Sequence, residues 1–401
     1  MDHIAIVGAG QAGAACAETL RTRGHEGRIT LWGDEDAPPY QRPPLSKAYL
    51  MGDMPRERLL LRPAAFWDAK GIELRTGTPV DAIDPAARTL IHADGTESWD
   101  ALVLATGARA HRLPDRCTAG LGGVHTIRTL ADIDALRPEM TPGRRLLVVG
   151  GGYIGLEAAA VARKLDLHVT VLELSTRVLA RVACAPTAAR FRDLHRDHGV
   201  DLREGVGLDT LTGEGRATGA RLTDGTTVDC DLVVAGIGAA PDTRLAAAAG
   251  LTLEDGIAVD AMGRTSAKGV WAAGDCASFP HEGRRMRLES VGNAIEMAGA
   301  VAANILGADA PYVAAPWFWS DQYDTKLQIA GWNAGFDDIV TRAAAAGESH
   351  WYFDGDRLLA VDAIDAPRDY MVGKRLIEAG RSPGKAALRD PKTDLKALLR
   401  A

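Results

Sequence analysis

Apolar residues fall into short unbroken runs, most of them closed by glycine, with stretches of helical period between them. Ile4-Ala5-Ile6-Val7 ends at Gly8 and is followed by an alanine-rich stretch, Ala14 to Arg23. Leu146-Leu147-Val148-Val149 ends at Gly150 and is followed by another, Leu156 to Lys164. Runs without alternation predict strands buried on both faces, the condition of a parallel sheet covered by helices. Further runs of this kind are Ile29-Thr30-Leu31, Ala101 to Leu104 leading into Ala105-Thr106-Gly107, Leu232 to Ala235 leading into Gly236-Ile237-Gly238, and Val270 to Ala273 leading into Gly274-Asp275. The pattern changes near Tyr312. Trp and Tyr cluster up to Tyr323, and the runs Lys326 to Ala330 and Arg357 to Val361 alternate, which predicts antiparallel strands of a smaller α+β domain. The proline-dense segment 38–47 predicts an extended loop. The charged stretch from about Lys385 predicts a peripheral helix or a frayed tail.

Two of the glycine turns carry a fingerprint. The first has Gly8, Gly10, Gln11, Ala12 and Gly13, with Asp34 after the next strand; the second has Gly150, Gly152, Tyr153, Ile154 and Gly155, with Glu173 after the next strand. In G-x-G-x-x-G the first glycine allows the tight turn. The second lets backbone approach a pyrophosphate, and the third lets the helix pack close to its strand. The helix N-terminus offers unpaired N–H groups to phosphate, and the acid accepts hydrogen bonds from a ribose. One such motif alone is weak. Two in the same register predict two dinucleotides bound by one chain. The expected fold class is therefore α/β, with two Rossmann-type dinucleotide-binding domains, the first interrupted by the second, and a C-terminal α+β domain. The expected bounds are 1–110 with 236–315, 111–235, and 316–401.

Composition narrows the function. A length of 401 residues suffices for two or three domains, and a net charge of −7 provides no basic field for nucleic acid or an anionic membrane. The most apolar stretch, Leu146 to Ala162, contains a glycine turn and Glu157, so it reads as strand and helix rather than a membrane span. A strand starting at Ile4 leads us to expect no signal peptide. Cys16, Cys117, Cys184, Cys230 and Cys276 form no CxxC pair, so no zinc site or redox disulfide is expected, and reduced buried thiols suit a cytoplasmic location. We expect no metal and a monomer.

Five separated motifs carry a resemblance: Arg42-Pro43-Pro44-Leu45-Ser46-Lys47, Ala105-Thr106-Gly107-Ala108-Arg109, Gly274-Asp275-Cys276-Ala277, Glu289 to Ala294, and Pro316 to Gln322. With the fingerprints they make the chain similar to the glutathione-reductase-like flavoproteins and, more narrowly, to the NADH-dependent ferredoxin reductases of oxygenase and cytochrome P450 chains. The resemblance implies FAD in the first unit and NADH in the second. It implies that Gly8, Gly10, Gly13 and Asp34 hold the FAD pyrophosphate and ribose, with Arg42, Lys47, Val80, Arg128, Asp275, Val291 and Trp319 as further FAD contacts. Ala105, Thr106, Gly107, Gly274 and Gly238 are turn residues at the edges of the two clefts. Gly150, Gly152 and Gly155 are implied to cradle NADH, Glu173 to take its 2′-hydroxyl, and Glu157 to lie near the nicotinamide. The charge of Glu173 favours NADH over NADPH, while nearby Arg177 works against that preference. Gly292 stands where the family often has proline.

The implied activity is hydride transfer from NADH to FAD, then single-electron transfer to a [2Fe–2S] ferredoxin. Lys47, Glu157 and Trp319 are the implied catalytic residues: a cation tuning the flavin, an acid at the nicotinamide, and an aromatic at the electron exit. Arg284, Arg285 and Arg287 form a candidate basic patch for an acidic carrier. Disulfide reductases of this fold need a reactive cysteine early in the chain, and residues 33–70 contain none. A rubredoxin reductase, a flavin-linked NADH oxidase and a non-catalytic redox protein resembling apoptosis-inducing factor remain as alternatives.

Overall fold

The computed structural model describes residues 1–343 and 346–400. The chain divides into two compact units. The first comprises 1–42, 56–109 and 239–316, and the second 43–55, 110–238 and 317–401.

In the first unit a parallel sheet runs in the order Val270–Ala272, Ala101–Leu104, His3–Val7, Arg28–Trp32, Ile72–Arg75. Ile4, Ile6, Leu102, Val103 and Leu104 are fully buried, as the unbroken apolar runs require. Helices Gln11–Thr22 and Val291–Ile305 pack together beside this sheet. The strand order turns back between His3–Val7 and Ala101–Leu104, so this sheet has its switch point where Gly8 and Ala105 emerge. A small antiparallel sheet starts at Val80, the first residue of strand Val80–Asp84.

The second unit has its own parallel sheet, in the order Asp201–Glu204, His168–Glu173, Arg145–Val149, Leu232–Ala235, Val124–His125. Helix Tyr153–Lys164 follows Arg145–Val149. This unit also contains the C-terminal antiparallel sheet, in the order Trp317–Gln322, Thr325–Gly331, Arg357–Ile364, Glu348–Asp354, Asp338–Ala343. Helix Pro367–Glu378 covers one face of it, over Trp351, Phe353 and Val361.

One expectation needs correction. Segment 38–47 is not wholly extended: Pro43–Ser46 forms a 3-10 turn and Ala48–Met51 a short helix. Prolines are tolerated in a first turn, where the missing N–H has no intrahelical partner. Of the two forms expected for the C-terminal stretch, the structure has the helical one, in Lys385–Arg389 and Leu395–Leu398. Leu388 and Leu395 are buried, and the Arg342 guanidinium donates to the carbonyls of Leu388, Asp390, Pro391 and Thr393.

Candidate functional site

The two fingerprints repeat one geometry. A Cβ on Gly8 would lie 2.1 Å from the Ala105 oxygen, and one on Gly13 would lie 1.9 Å from the Gly8 oxygen. On Gly150 it would lie 2.4 Å from the Gly236 oxygen, and on Gly155 2.1 Å from the Gly150 oxygen. Gly8 and Gly150 also take φ of 115° and 110°, which disfavours side chains. The middle glycines differ: a Cβ on Gly10 or on Gly152 would meet nothing within 4 Å. The protein's own packing therefore explains the first and third glycines but not the middle one. Gly10 and Gly152 are N-caps of twelve-residue helices without any side-chain cap, so the first N–H groups of each helix are left to an anion. The residues present fit a dinucleotide at both turns. Gln11, Ala12, Tyr153 and Ile154 open these helices, and Ile154 is 42% exposed.

In the first unit the other sequence-derived residues gather at the same sheet edge. Thr106 Oγ1 donates to the Asp242 carbonyl at 2.6 Å. A Cβ on Gly274 would lie 2.8 Å from the Cβ of Ala12, which brings the late glycine turn against the first fingerprint. Gly107 also takes a positive φ. Val291 opens the helix Val291–Ile305, capped by Ser290, and Asp275 precedes it after the Gly274 turn. Asp34 is exposed and faces Arg109 at 3.5 Å. Arg42 pairs with Glu35 at 2.7 Å, and Tyr40 donates to the other Glu35 oxygen at 2.6 Å. Sequence reasoning passed over Glu35, and over Asp242, a buried carboxylate that pairs with Arg109 and Arg244. Those two arginines hold the Asp242 carboxyl below its ordinary value against the effect of burial.

In the second unit Glu173 ends its strand with both oxygens held, one by the Gly151 N–H at 2.8 Å and one by the Ser175 N–H at 2.7 Å. Arg177 turns away into its own loop and donates to the carbonyls of Ala183 and Ala180. Gly238 takes φ of 97°, in the turn after Leu232–Ala235. Arg128 lies just before helix Leu130–Leu136, its backbone N–H held by Asp132. Trp317 and Trp319 are not core residues. Both are half-buried, with ring centroids 5.6 Å apart.

Glu157, on the fingerprint helix of this unit, is a buried charge, 2% exposed. Its Oε2 receives Lys47 Nζ at 2.7 Å and Ser46 Oγ at 2.5 Å, and its Oε1 receives Ser320 Oγ at 2.6 Å. Burial pushes the Glu157 carboxyl up, while the Lys47 ammonium and the two hydroxyls pull it back. Lys47 and Glu157 were read from the sequence as separate residues. Ser46 and Ser320 were missed although both lie inside quoted motifs, because no spacing reveals that two distant segments share a carboxylate.

Two of the three arginines of the candidate basic patch are paired with acids, and Arg284 is exposed. Arg285 faces Glu254 at 3.3 Å, and Arg287 pairs with Glu289 at 2.5 Å and Asp255 at 3.3 Å. All five cysteines are free and buried, and burial pushes Cys16 up to about 12 and Cys230 up to about 11, away from nucleophilic thiolates. Among the described residues no cluster could hold a metal ion, and no helix is long and apolar enough to cross a membrane.

Residues 2–298 match the pyridine nucleotide-disulphide oxidoreductase family, and residues 317–399 match the reductase C-terminal family. The chain is 44% identical over 401 residues to rhodocoxin reductase of Rhodococcus erythropolis, covering 98% of this chain and 93% of that protein. It is 42% identical over 408 residues to the ferredoxin–NAD(+) reductase component of the anthranilate 1,2-dioxygenase system of Burkholderia cepacia, covering 99% of each. The reductase in the crystal structure of the covalent putidaredoxin reductase–putidaredoxin complex superposes with a TM-score of 0.96 at 40% identity, over 100% of this chain and 98% of that one. The likeness thus runs along nearly the whole length, and the chain belongs to the pyridine nucleotide-disulphide oxidoreductase family, among its ferredoxin reductases.

Proposed function

We propose that this enzyme oxidises NADH and delivers the electrons, through FAD, to a [2Fe–2S] ferredoxin that serves a cytochrome P450 or a ring-hydroxylating oxygenase. The observation that carries the reading is the repeated cradle: in both fingerprints the middle glycine faces open space that the chain's own packing does not use. When bound, FAD supplies the conversion of a two-electron hydride donor into single electrons.

The chain's own residues do the holding and orienting. Gly8, Gly10 and Gly13, with Asp34, serve FAD in a domain of residues 1–110 and 236–315. Gly150, Gly152 and Gly155 serve NADH in residues 111–235. The N–H groups at the starts of helices Gln11–Thr22 and Tyr153–Lys164 neutralise pyrophosphate charge. Glu173, fixed by two backbone N–H groups, accepts from a ribose 2′-hydroxyl and repels a 2′-phosphate. Arg177 is engaged by carbonyls and gives that phosphate no counter-charge. Preference for NADH follows. Lys47 and Glu157 form the charged pair of the reductive step. The flavin roles of Arg42, Val80, Arg128, Asp275 and Val291, and an electron-exit role for Trp319, belong to the same proposal. Residues 316–401 form the C-terminal domain, and five buried free thiols support a cytoplasmic setting.

The experiment is anaerobic titration of the yellow protein with NADH, followed by steady-state reduction of a [2Fe–2S] ferredoxin. Stoichiometric bleaching and ferredoxin-dependent turnover are expected. Equal turnover with rubredoxin or oxygen would reject the ferredoxin assignment, and an unbleached flavin would reject the reductase.

A further inference from the structure

Helix Ala185–Asp197 turns Thr187, Ala188, Phe191, Leu194 and His195 inward, one apolar stripe with a histidine in it. His195 is fully buried. Its Nε2 lies 2.8 Å from Gln322 Oε1 and its Nδ1 lies 3.2 Å from Tyr323 Oη. Gln322, also fully buried, donates from Nε2 to Ser320 Oγ at 3.1 Å, and Ser320 donates to Glu157 Oε1 at 2.6 Å. An amide oxygen only accepts, so the imidazole carries its proton on Nε2, which leaves Nδ1 to accept from the Tyr323 hydroxyl. Every link then points toward Glu157. The orientation of the amide matters because a serine hydroxyl has a single proton. Were Gln322 turned over, its oxygen would face Ser320 and compete with Glu157 for that proton.

We propose that His195 is a positioning residue for the Lys47–Glu157 pair: as a neutral imidazole protonated on Nε2 it fixes the Gln322 amide, directs the Ser320 proton to Glu157, and keeps that carboxylate ionised against Lys47. The proposal rests on the reading that this pair serves reduction by NADH. Lys47, Ser46 and Ser320 face Glu157, with Tyr153 on the same helix; His198 and Tyr323 face His195, and Arg163 lies near Tyr323. Burial holds His195 down at about 4, so the ring is neutral at the pH of turnover. Burial already pushes Glu157 up, and loss of the Ser320 proton raises it further.

The test uses the oxidised FAD-loaded enzyme. With 15N-labelled histidine, the resonance that His195→Gln removes is expected to report a neutral ring protonated on Nε2 at pH 7. A ring protonated on Nδ1, or an imidazolium, overturns the proposal. With 13C-labelled glutamate, the Glu157 carboxyl is assigned by its loss in Glu157→Gln. In His195→Phe, which changes no charge, its titration midpoint is expected to rise by about one pH unit. In His195→Gln, which keeps an N–H donor, the midpoint is expected to return toward that of the wild type. Equal midpoints in wild type and both variants, or equal rises in the two variants, overturn the proposal. The pH profile of flavin reduction by NADH is expected to move with the midpoint, and a profile that stays fixed overturns the role in reduction. These magnetic resonance readouts need no turnover, so failure of the relay is distinguishable from failure of the reductase reading, which would show as wild-type flavin left oxidised by NADH.

Discussion

Lys47 and Glu157 stand 110 positions apart in the chain, yet their charged atoms meet at 2.7 Å. Glu157 is 2% exposed and its partner 20%, so neither charge is well solvated. Removal of one partner leaves the other uncompensated, a loss of about 3 kcal/mol or more for a buried pair. Lys47→Met is therefore expected to lower unfolding stability by that order in urea titrations and to raise further the pH at which Glu157 ionises. Glu157→Gln is expected to cost less, because the amide still accepts from Lys47 and from a serine.

The glycines separate cofactor loss from misfolding. Gly10→Ala and Gly152→Ala meet no protein atom within 4 Å and are expected to fold with an unchanged melting temperature in the apoprotein. Gly10→Ala is expected to lose FAD on gel filtration, read from the ratio of 450 nm to 280 nm absorbance. Gly152→Ala is expected to weaken NADH binding by roughly tenfold or more, which corresponds to about 1.4 kcal/mol. Gly13→Ala forces a Cβ to within 1.9 Å of a backbone oxygen and is expected to lower the melting temperature itself.

The proposed preference for NADH rests on Glu173 and on the engagement of Arg177 by loop carbonyls. Glu173→Ala is expected to raise the NADPH-to-NADH ratio of kcat/KM by roughly tenfold, through removal of one repulsive charge near the 2′ position. Leu174 follows Glu173 and is 72% exposed, so Leu174→Arg in that background supplies the missing cation and is expected to raise the ratio again. Arg177→Ala is expected to leave the ratio unchanged, as its guanidinium donates to loop carbonyls.

Asp362 gives the second unit a pH signature. It is fully buried and accepts from Tyr352 Oη and, at 2.8 Å, from Thr187 Oγ1, and burial raises its carboxyl to about 6. A carboxyl raised from about 3.9 binds more protons in the folded state than in the unfolded state. Its contribution is therefore complete below about pH 4 and is lost as pH rises through about 6. The melting temperature of the wild type relative to Asp362→Asn is expected to fall across that window, by the equivalent of at most about 3 kcal/mol. His195, lowered to about 4, acts with the opposite sign and is common to both proteins, so the difference isolates Asp362.

The unbroken runs at Ile4, Ala101 and Leu146 made the parallel strands legible, because burial on both faces leaves no alternation. The glycine triplets were legible because each position answers to a local requirement of turn, ligand or helix packing. Helix Ala185–Asp197 has only Pro186 in its first turn and Gly199 past its end to mark it, and its inward stripe went unread, as did the destinations of His195 and Gln322. The arginines at 284–287 looked basic in one dimension, since nothing near them in sequence predicted Glu254 and Asp255 as partners.

Local pattern thus set the α/β class, the two fingerprints and the acid at the end of each second strand, all features governed by the strand period and by glycine stereochemistry. Folding decided which side chains share a carboxylate. Segments 43–47 and 317–322 meet Glu157 of helix 153–164, and His195 of helix 185–197 joins through Gln322; only that largely buried convergence turns a lysine, two serines, a glutamine and a histidine into one hydrogen-bonded array.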